Sequence, residues 1–244
     1  MIDIHVELVK PFGPSVLVSK CPKKILEKLN NYVDDVENDL NLKRLFSSKY
    51  KNVPNLLERD FENIYLTENV CNEIGLTNLV ETLGNYYVEN SYFSGDFDLN
   101  ERVKLSIISG DDEFPYENEQ IYSDCWINRY YKGDYTPLHK HGSDLAGIIF
   151  LKIPEEIKNL NSTYRNNIQE HKMHGKLEFV YGQYATFCPN TWTPHQEDGI
   201  IMIFPNWLNH LVYAQKTDEE RRTLSFNLIT ETSYNKIKKE FLGD

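Results

Sequence analysis

The chain has 244 residues, 37 acidic against 26 basic side chains, a net charge of -11, and 40% hydrophobic residues. That length buries a full core without disulfide or metal staples, and the acidic balance lacks the basic footprint that phosphate backbones demand, so no nucleic-acid partner is expected. Apolar runs such as 145–151 and 200–204 fall far short of the roughly 20 residues that span a bilayer, and the first residues lack the basic head and apolar core of a secretory signal, so a cytoplasmic protein without a membrane partner is expected.

Residues 2–9 and 14–19 alternate apolar and polar side chains around Pro11-Phe12-Gly13-Pro14, which predicts strand, turn, strand. After Cys21-Pro22 the period changes: Ile25, Leu26, Leu29, Val33, Val36 and Leu40 recur at helical spacing, with Pro22 where a first turn tolerates it. A second helical stripe, Leu76, Leu79, Val80, Leu83 and Tyr87, follows a polar connection. Both stripes are expected to pack on one side of a sheet, because apolar helical faces are usually core. Cys21, Cys71, Cys125 and Cys188 are scattered without a C-x-x-C pair, as reduced core thiols would be.

From residue 102 the period falls to two. Segments at 103–107, 121–130, 145–153, 177–181, 184–188, 199–204, 211–214 and 224–229 read as short strands separated by turn signals, which predicts a sandwich or barrel preceded by helices. Residues 154–175 read as one long connection, and 233–241 as a closing helix.

Seven histidines occur, and three occupy positions a metal would want. His139 and His141 flank Lys140, and residues i and i+2 of a strand share a face, so both imidazoles can reach one point. His210 follows the turn at Pro205-Asn206 and heads another strand. Neutral imidazole suits iron, zinc, copper or nickel, and a facial set of three leaves positions for substrate and dioxygen. The alternative for the same residues is a wet edge strand and a turn cap. Further on, Arg221, Thr223, Ser225 and Asn227 share one strand face, with Leu224, Phe226 and Leu228 on the other. An arginine beside a hydroxyl binds a carboxylate in a fork with one extra donor. His171 and His174 stand three apart in the long connection and are expected to be solvated, and His195 is expected in a turn near a cavity mouth.

Trp126-Ile127-Asn128, Gly133-Asp134, Pro137, His139-Lys140-His141, Gly147-Ile148-Ile149-Phe150-Leu151, the run from Gly199 to Leu208 with His210, and Arg221 with Ser225-Phe226-Asn227 together resemble the Fe(II)- and 2-oxoglutarate-dependent oxygenases. Within them the chain looks most like a prolyl-hydroxylase-like group frequent in phage and bacterial genomes. The resemblance spans residues 120–230 and implies a mainly β fold with flanking helices, a double-stranded β-helix or jelly roll. It implies one domain over 1–244, with 1–100 as helical and β support and 101–230 as the jelly-roll core. It also implies Fe(II) as metal and 2-oxoglutarate as cosubstrate. By the same resemblance His139 and His210 take the places of the first and distal metal ligands, and Arg221 with Thr223 that of the cosubstrate's C5 carboxylate site. Asn128 and Tyr130 share a face with Trp126 and are candidates to hold 2-oxoglutarate, or else core residues.

One departure stands out. The superfamily has a carboxylate two residues after the first histidine, where this chain has His141. Strand geometry favours a three-histidine site of His139, His141 and His210; the alternative is Asp144, reached if the chain bulges after Gly142-Ser143. The implied reaction is oxidative decarboxylation of 2-oxoglutarate to succinate and CO2, coupled to hydroxylation of an aliphatic C-H bond. The expected partners are dioxygen and a peptide or small-molecule substrate, with a homodimer compatible and host cytoplasm as the location if phage-encoded. The rival readings are a three-histidine cupin-like metalloenzyme that does not use 2-oxoglutarate and a metal-free jelly-roll binding or assembly module.

Overall fold

In the computed structural model the period-two segments pair into antiparallel sheets. Residues 5–9, 13–46, 62–91, 101–108, 122–160, 173–185 and 190–242 are described. In chain order the elements are β1 (Val6–Val9), β2 (Val16–Lys20), α1 (Lys23–Asn38), α2 (Leu40–Phe46), β3 (Glu62–Tyr65), α3 (Glu68–Ile74), α4 (Leu76–Asn90), β4 (Val103–Leu105), β5 (Ile107–Ile108), β6 (Tyr122–Ser123) and β7 (Cys125–Tyr130). They continue as β8 (Thr136–His139), β9 (Leu145–Lys152), α5 (Glu155–Lys158), β10 (Leu177–Val180), β11 (Thr191–Trp192), β12 (Ile200–Pro205), β13 (Asn209–Val212), β14 (Arg221–Thr230) and α6 (Glu231–Leu242).

The larger sheet runs β1-β2-β12-β9-β14-β7-β3, with β4 also on β14, and the smaller runs β11-β10-β13-β8. All pairings are antiparallel and neither sheet closes on itself, an open form of the jelly roll. The expected β-rich architecture with helices in front is therefore present.

Period two sends neighbouring side chains of one strand to different cores. Ile149, Ile201, Ile203, Leu224, Phe226 and Leu228 join the faces of α1, α3 and α4 in one apolar cluster. Their neighbours Ile148, Phe150, Met202 and Phe204 pack toward Leu177 and Phe179 of the smaller sheet in a second cluster. Because both faces are covered, β9 reads as an unbroken apolar run. Gly147 sits in that run for a steric reason: a Cβ there would lie 2.1 Å from Phe226 Cζ, so only glycine lets the Phe226 ring lie across β9.

On the helix side, charge fastens α1 to the sheet. Arg129 of β7 pairs with Glu37 and, at 2.5 Å, with Glu220; Arg222 of β14 reaches Asp34 at 2.7 Å and Glu220 at 2.9 Å.

The structure differs from the sequence expectations in the connections. The stretch between the two helical stripes contains α2, β3 and α3, with β3 paired to β7. The connection expected over 154–175 begins with α5, and residues 161–172, including His171, lie outside the described residues, as does Cys188. His174 is buried rather than solvated, its Nε2 3.3 Å from Glu156 Oε1. Among the described residues no helix is long and apolar enough to cross a membrane.

Candidate functional site

The site lies in a cleft between the two sheets. Strands β8 and β13 form one wall, and His210 stands opposite His139 in their register. A register shift falls between that pair and the Thr136–Val212 pair. Pro137, without an N-H to donate, occupies this irregular edge. The bulge lets Thr136 and His139, three residues apart, both face the cleft, while Leu138 between them is exposed.

His141 lies just past the end of β8. Its N-H donates to Asn206 O at 3.0 Å, and Asn206 Nδ2 donates back to His141 O at 3.4 Å, which ties the segment to the turn before β13. The His141 ring stacks on Trp126 at 6.0 Å between centroids. The Trp126 indole N-H donates to Asn128 Oδ1 at 3.0 Å, and Asn128 Nδ2 donates to Ser225 Oγ at 2.9 Å.

The ligand nitrogens of His139, His141 and His210 lie within 4.8 Å of one another. His139 Nδ1 is 2.8 Å from Pro137 O and His210 Nδ1 is 2.9 Å from Leu208 O. An N-H donated there puts the lone pair on Nε2, the tautomer a metal takes. Burial first, then the neighbouring His139, lowers the His210 pKa to about 3, so this imidazole stays neutral and ready to coordinate. Three converging imidazoles suit a divalent first-row metal.

Asp144 does not share this point. Its Oδ2 accepts the Thr230 N-H at 2.8 Å, so the carboxylate secures the end of β14.

The opposite wall of the cleft comes from β7 and β14, with Asn128, Tyr130, Thr223 and Ser225 facing in. Arg221 is fully buried, its guanidinium 5.1 Å over the Tyr130 ring and 5.8 Å from that of Phe150. Its Nη2 donates to Gln196 Oε1 at 3.3 Å, while Nε and Nη1 have no hydrogen-bond partner. Burial lowers its pKa to about 10, since no carboxylate offsets the desolvated charge. A buried guanidinium with spare donors is matched to an incoming carboxylate. Tyr130 Oη is 2.6 Å from Thr136 Oγ1. Asn128 has its carbonyl and one N-H engaged as described above, so its visible role is to hold Trp126.

Sequence patterning did not single out two residues near Arg221. Gln196, buried outside any strand, leaves its Nε2 without a partner. Lys176, just before β10, is 2% exposed. Only the approach of separate segments buries them, so no local pattern marks them. His195 faces solvent, 3.6 Å from Glu197, and does not line the cleft.

The cleft thus has an imidazole cluster suited to a divalent metal on one wall, and the strand β14 of the other wall carries a buried arginine with two spare donor nitrogens. Residues 124–227 match the family described as "Putative 2OG-Fe(II) oxygenase", which covers the cleft walls and both strands of the imidazole cluster.

Solved structures agree on the fold. A Pseudomonas putida prolyl-4-hydroxylase superposes with a TM-score of 0.51 at 12% identity, covering 89% of this chain and 93% of that one. A Trichoplax adhaerens prolyl hydroxylase, in complex with a hypoxia inducible factor oxygen degradation domain peptide fragment, gives 0.51 at 11% identity over 91% and 86% of the two chains. The non-heme alpha ketoglutarate dependent epimerase SnoN from nogalamycin biosynthesis gives 0.50 at 13% identity over 87% and 77%. No curated protein matches in sequence. At these identities the likeness establishes the jelly roll, which carries more than one reaction.

Proposed function

We propose that the protein is a dioxygenase that hydroxylates an aliphatic C-H bond with Fe(II) and 2-oxoglutarate, acting on a proline-containing peptide or a small amino-acid substrate. The observation that carries this reading is the placement of three converging imidazole nitrogens in a cleft whose other wall includes β14, the strand that carries the buried Arg221 with its partnerless Nε and Nη1. A cupin-like enzyme without 2-oxoglutarate has no use for such an arginine, and a metal-free module has none for three imidazole nitrogens at one point.

His139, His141 and His210 would hold the metal. Iron and cosubstrate together would supply the oxidising power: substrate C-H, 2-oxoglutarate and dioxygen become substrate C-OH, succinate and CO2, with one oxygen atom in each of the two oxidised products. The chain's own contribution is positional. Arg221, with Thr223 beside it on β14, would take the C5 carboxylate of the cosubstrate. The Phe150 and Tyr130 rings keep water from that ion pair, which strengthens it. Trp126, held by Asn128, backs the His141 ring against rotation. The buried thiols of Cys21, Cys71 and Cys125 accord with a reducing cytoplasm.

The test is anaerobic addition of Fe(II) and then 2-oxoglutarate to the purified protein, followed by visible absorption. A charge-transfer band that appears only when both are present supports the assignment, and its absence at saturating concentrations removes it.

A further inference from the structure

His139, His141 and His210 reach their common point from one wall of the cleft, β8 with its extension and β13, and imidazole coordinates a metal as a neutral donor. The groups behind them are neutral as well. His139 and His210 hold their Nδ1 atoms 2.8 and 2.9 Å from the backbone carbonyls of Pro137 and Leu208, where carboxylates orient many other ligating histidines. Asp144, the acid nearest His141 in the chain, turns Oδ2 to the Thr230 N-H at 2.8 Å. The facing wall adds no charge, since it presents Trp126, Asn128, Thr223 and Ser225. Among the described residues, no carboxylate, lysine or arginine lines the cleft, in a chain with 37 acidic residues. A divalent ion held by these imidazoles therefore keeps both of its charges, and His210 is buried, so water screens those charges poorly.

We infer that this metal site takes a small monovalent anion as a direct ligand of the bound ion, supplied from solution in place of the charge that no side chain lining the cleft provides. The inference rests on the metal site assigned above and not on the cosubstrate. Three imidazoles from one wall leave the other side of the ion to ligands from solution. Charge drives their choice: an anion touching an ion with both charges intact gains more than one touching an ion already half neutralised by a carboxylate. Metal and anion then strengthen each other's binding by the same factor. A 2-oxo acid brings a carboxylate of its own to that ion, so it displaces the small anion and competes with it.

The experiment loads the protein with Co(II), whose visible absorption reports the ligands around it. Sodium azide is titrated into the wild type and the His141→Asp and His141→Gln variants at constant ionic strength in perchlorate, a weakly coordinating salt. Both substitutions replace the imidazole with an oxygen donor, and only aspartate brings a charge. Azide is expected to change the Co(II) spectrum of the wild type, to bind His141→Gln about as well, and to bind His141→Asp at least about tenfold more weakly. A second measurement needs no variant: azide is expected to raise the melting temperature of the Co(II)-loaded wild type and not that of the metal-free protein. An unchanged spectrum in the wild type, equal azide affinity in His141→Asp and His141→Gln, or the same melting response with and without Co(II) would overturn the anion site. Azide binding as expected, in a protein that gives no charge-transfer band with Fe(II) and 2-oxoglutarate, would keep the anion site and remove the cosubstrate. The band together with azide affinity indifferent to the charge at residue 141 would do the reverse.

Discussion

His141 and His210 present their Nε2 atoms 3.3 Å apart, with ring planes 8° from parallel. Two imidazole nitrogens bound to one ion at about 2.1 Å each stand about 3 Å apart, so the separation is already that of a chelate. With Nδ1-H of His210 donated to Leu208 O, the His210 Nε2 offers a lone pair that a cation between the rings would take. Fe(II), or Ni(II) as an air-stable substitute, is expected to stabilise the protein by about 2.7 kcal/mol at a hundredfold excess over Kd. His139→Ala and His210→Ala are expected to abolish that gain. Thermal melts with and without metal measure both.

The third coordination place separates His141 from Asp144. Asp144 is engaged by the Thr230 N-H, so Asp144→Ala is expected to cost about 1–2 kcal/mol of stability by stranding that donor, with metal affinity unchanged. His141→Ala is expected to lose metal affinity by a factor of about 10 to 100 or more with little change in folding. His141→Asp restores a carboxylate to the place and is expected to recover part of the affinity. Calorimetric titration of metal into the three variants decides; weakened binding in Asp144→Ala alone would reverse the assignment.

Arg221→Ala removes the fully buried side chain proposed to take the cosubstrate carboxylate. The expected loss is about 2–3 kcal/mol in 2-oxoglutarate binding, the usual scale for a charge-assisted hydrogen bond, with Fe(II) affinity intact. Anaerobic titration of 2-oxoglutarate against the iron-loaded variant measures the loss, and unchanged affinity would defeat the role given to Arg221.

Much of the fold was legible because its strands obey a simple rule. In β14 the residues Thr223 and Ser225 face the cleft while Leu224, Phe226 and Leu228 face the helices, as alternation requires. The helical stripes were plain over most of their length, since Ile25, Leu29, Val33 and Val36 are buried, whereas Leu40 lies past the end of α1, opens α2 and is exposed. What alternation missed lies where alternation stops. His141 sits past the end of its strand, and its neighbours are set by the Asn206 backbone rather than by a pleat. The bulge at Pro137 turns Thr136 inward with His139, a phase shift invisible to counting by twos. Lys176 and Gln196 belong to connections and are buried only through segments far away in the chain. His174 reads as solvated in an acidic and amide-rich stretch, yet it is buried beside Glu156.

Gly147 and Phe226 make a steric pair across β9 and β14. Gly147→Ala puts a methyl group 2.1–2.7 Å from three ring atoms of Phe226, and β9 is central to the sheet, so backbone relief is limited. The expected cost is about 1–3 kcal/mol. Phe226→Leu in the same chain frees that space, so the double variant is expected to be more stable than the sum of the two single changes predicts. Urea denaturation of the four proteins of the cycle reads the coupling; strict additivity would show that the ring is not what excludes the methyl group.

Acid is expected to loosen the attachment of α1 through Glu220. Burial alone would raise the Glu220 pKa, but the hydrogen bonds and charges of Arg222 and Arg129 outweigh it and hold the carboxyl below its usual value. With its folded pKa below the unfolded value of about 4.3, this group's contribution is complete above that value and is lost as pH falls through the folded pKa. Glu220→Gln is expected to cost about 3 kcal/mol at neutral pH, because Arg129 and Arg222, each nearly enclosed, lose a shared counter-ion. Glu37 and Asp34 retain one arginine each, which limits the damage to the contact between α1 and the sheet. Because the substitution removes the titrating group itself, stability of Glu220→Gln is expected to fall less steeply than the wild type below pH about 4.5. Denaturation curves collected across that range compare the two slopes, and parallel slopes would show that the acid sensitivity arises elsewhere.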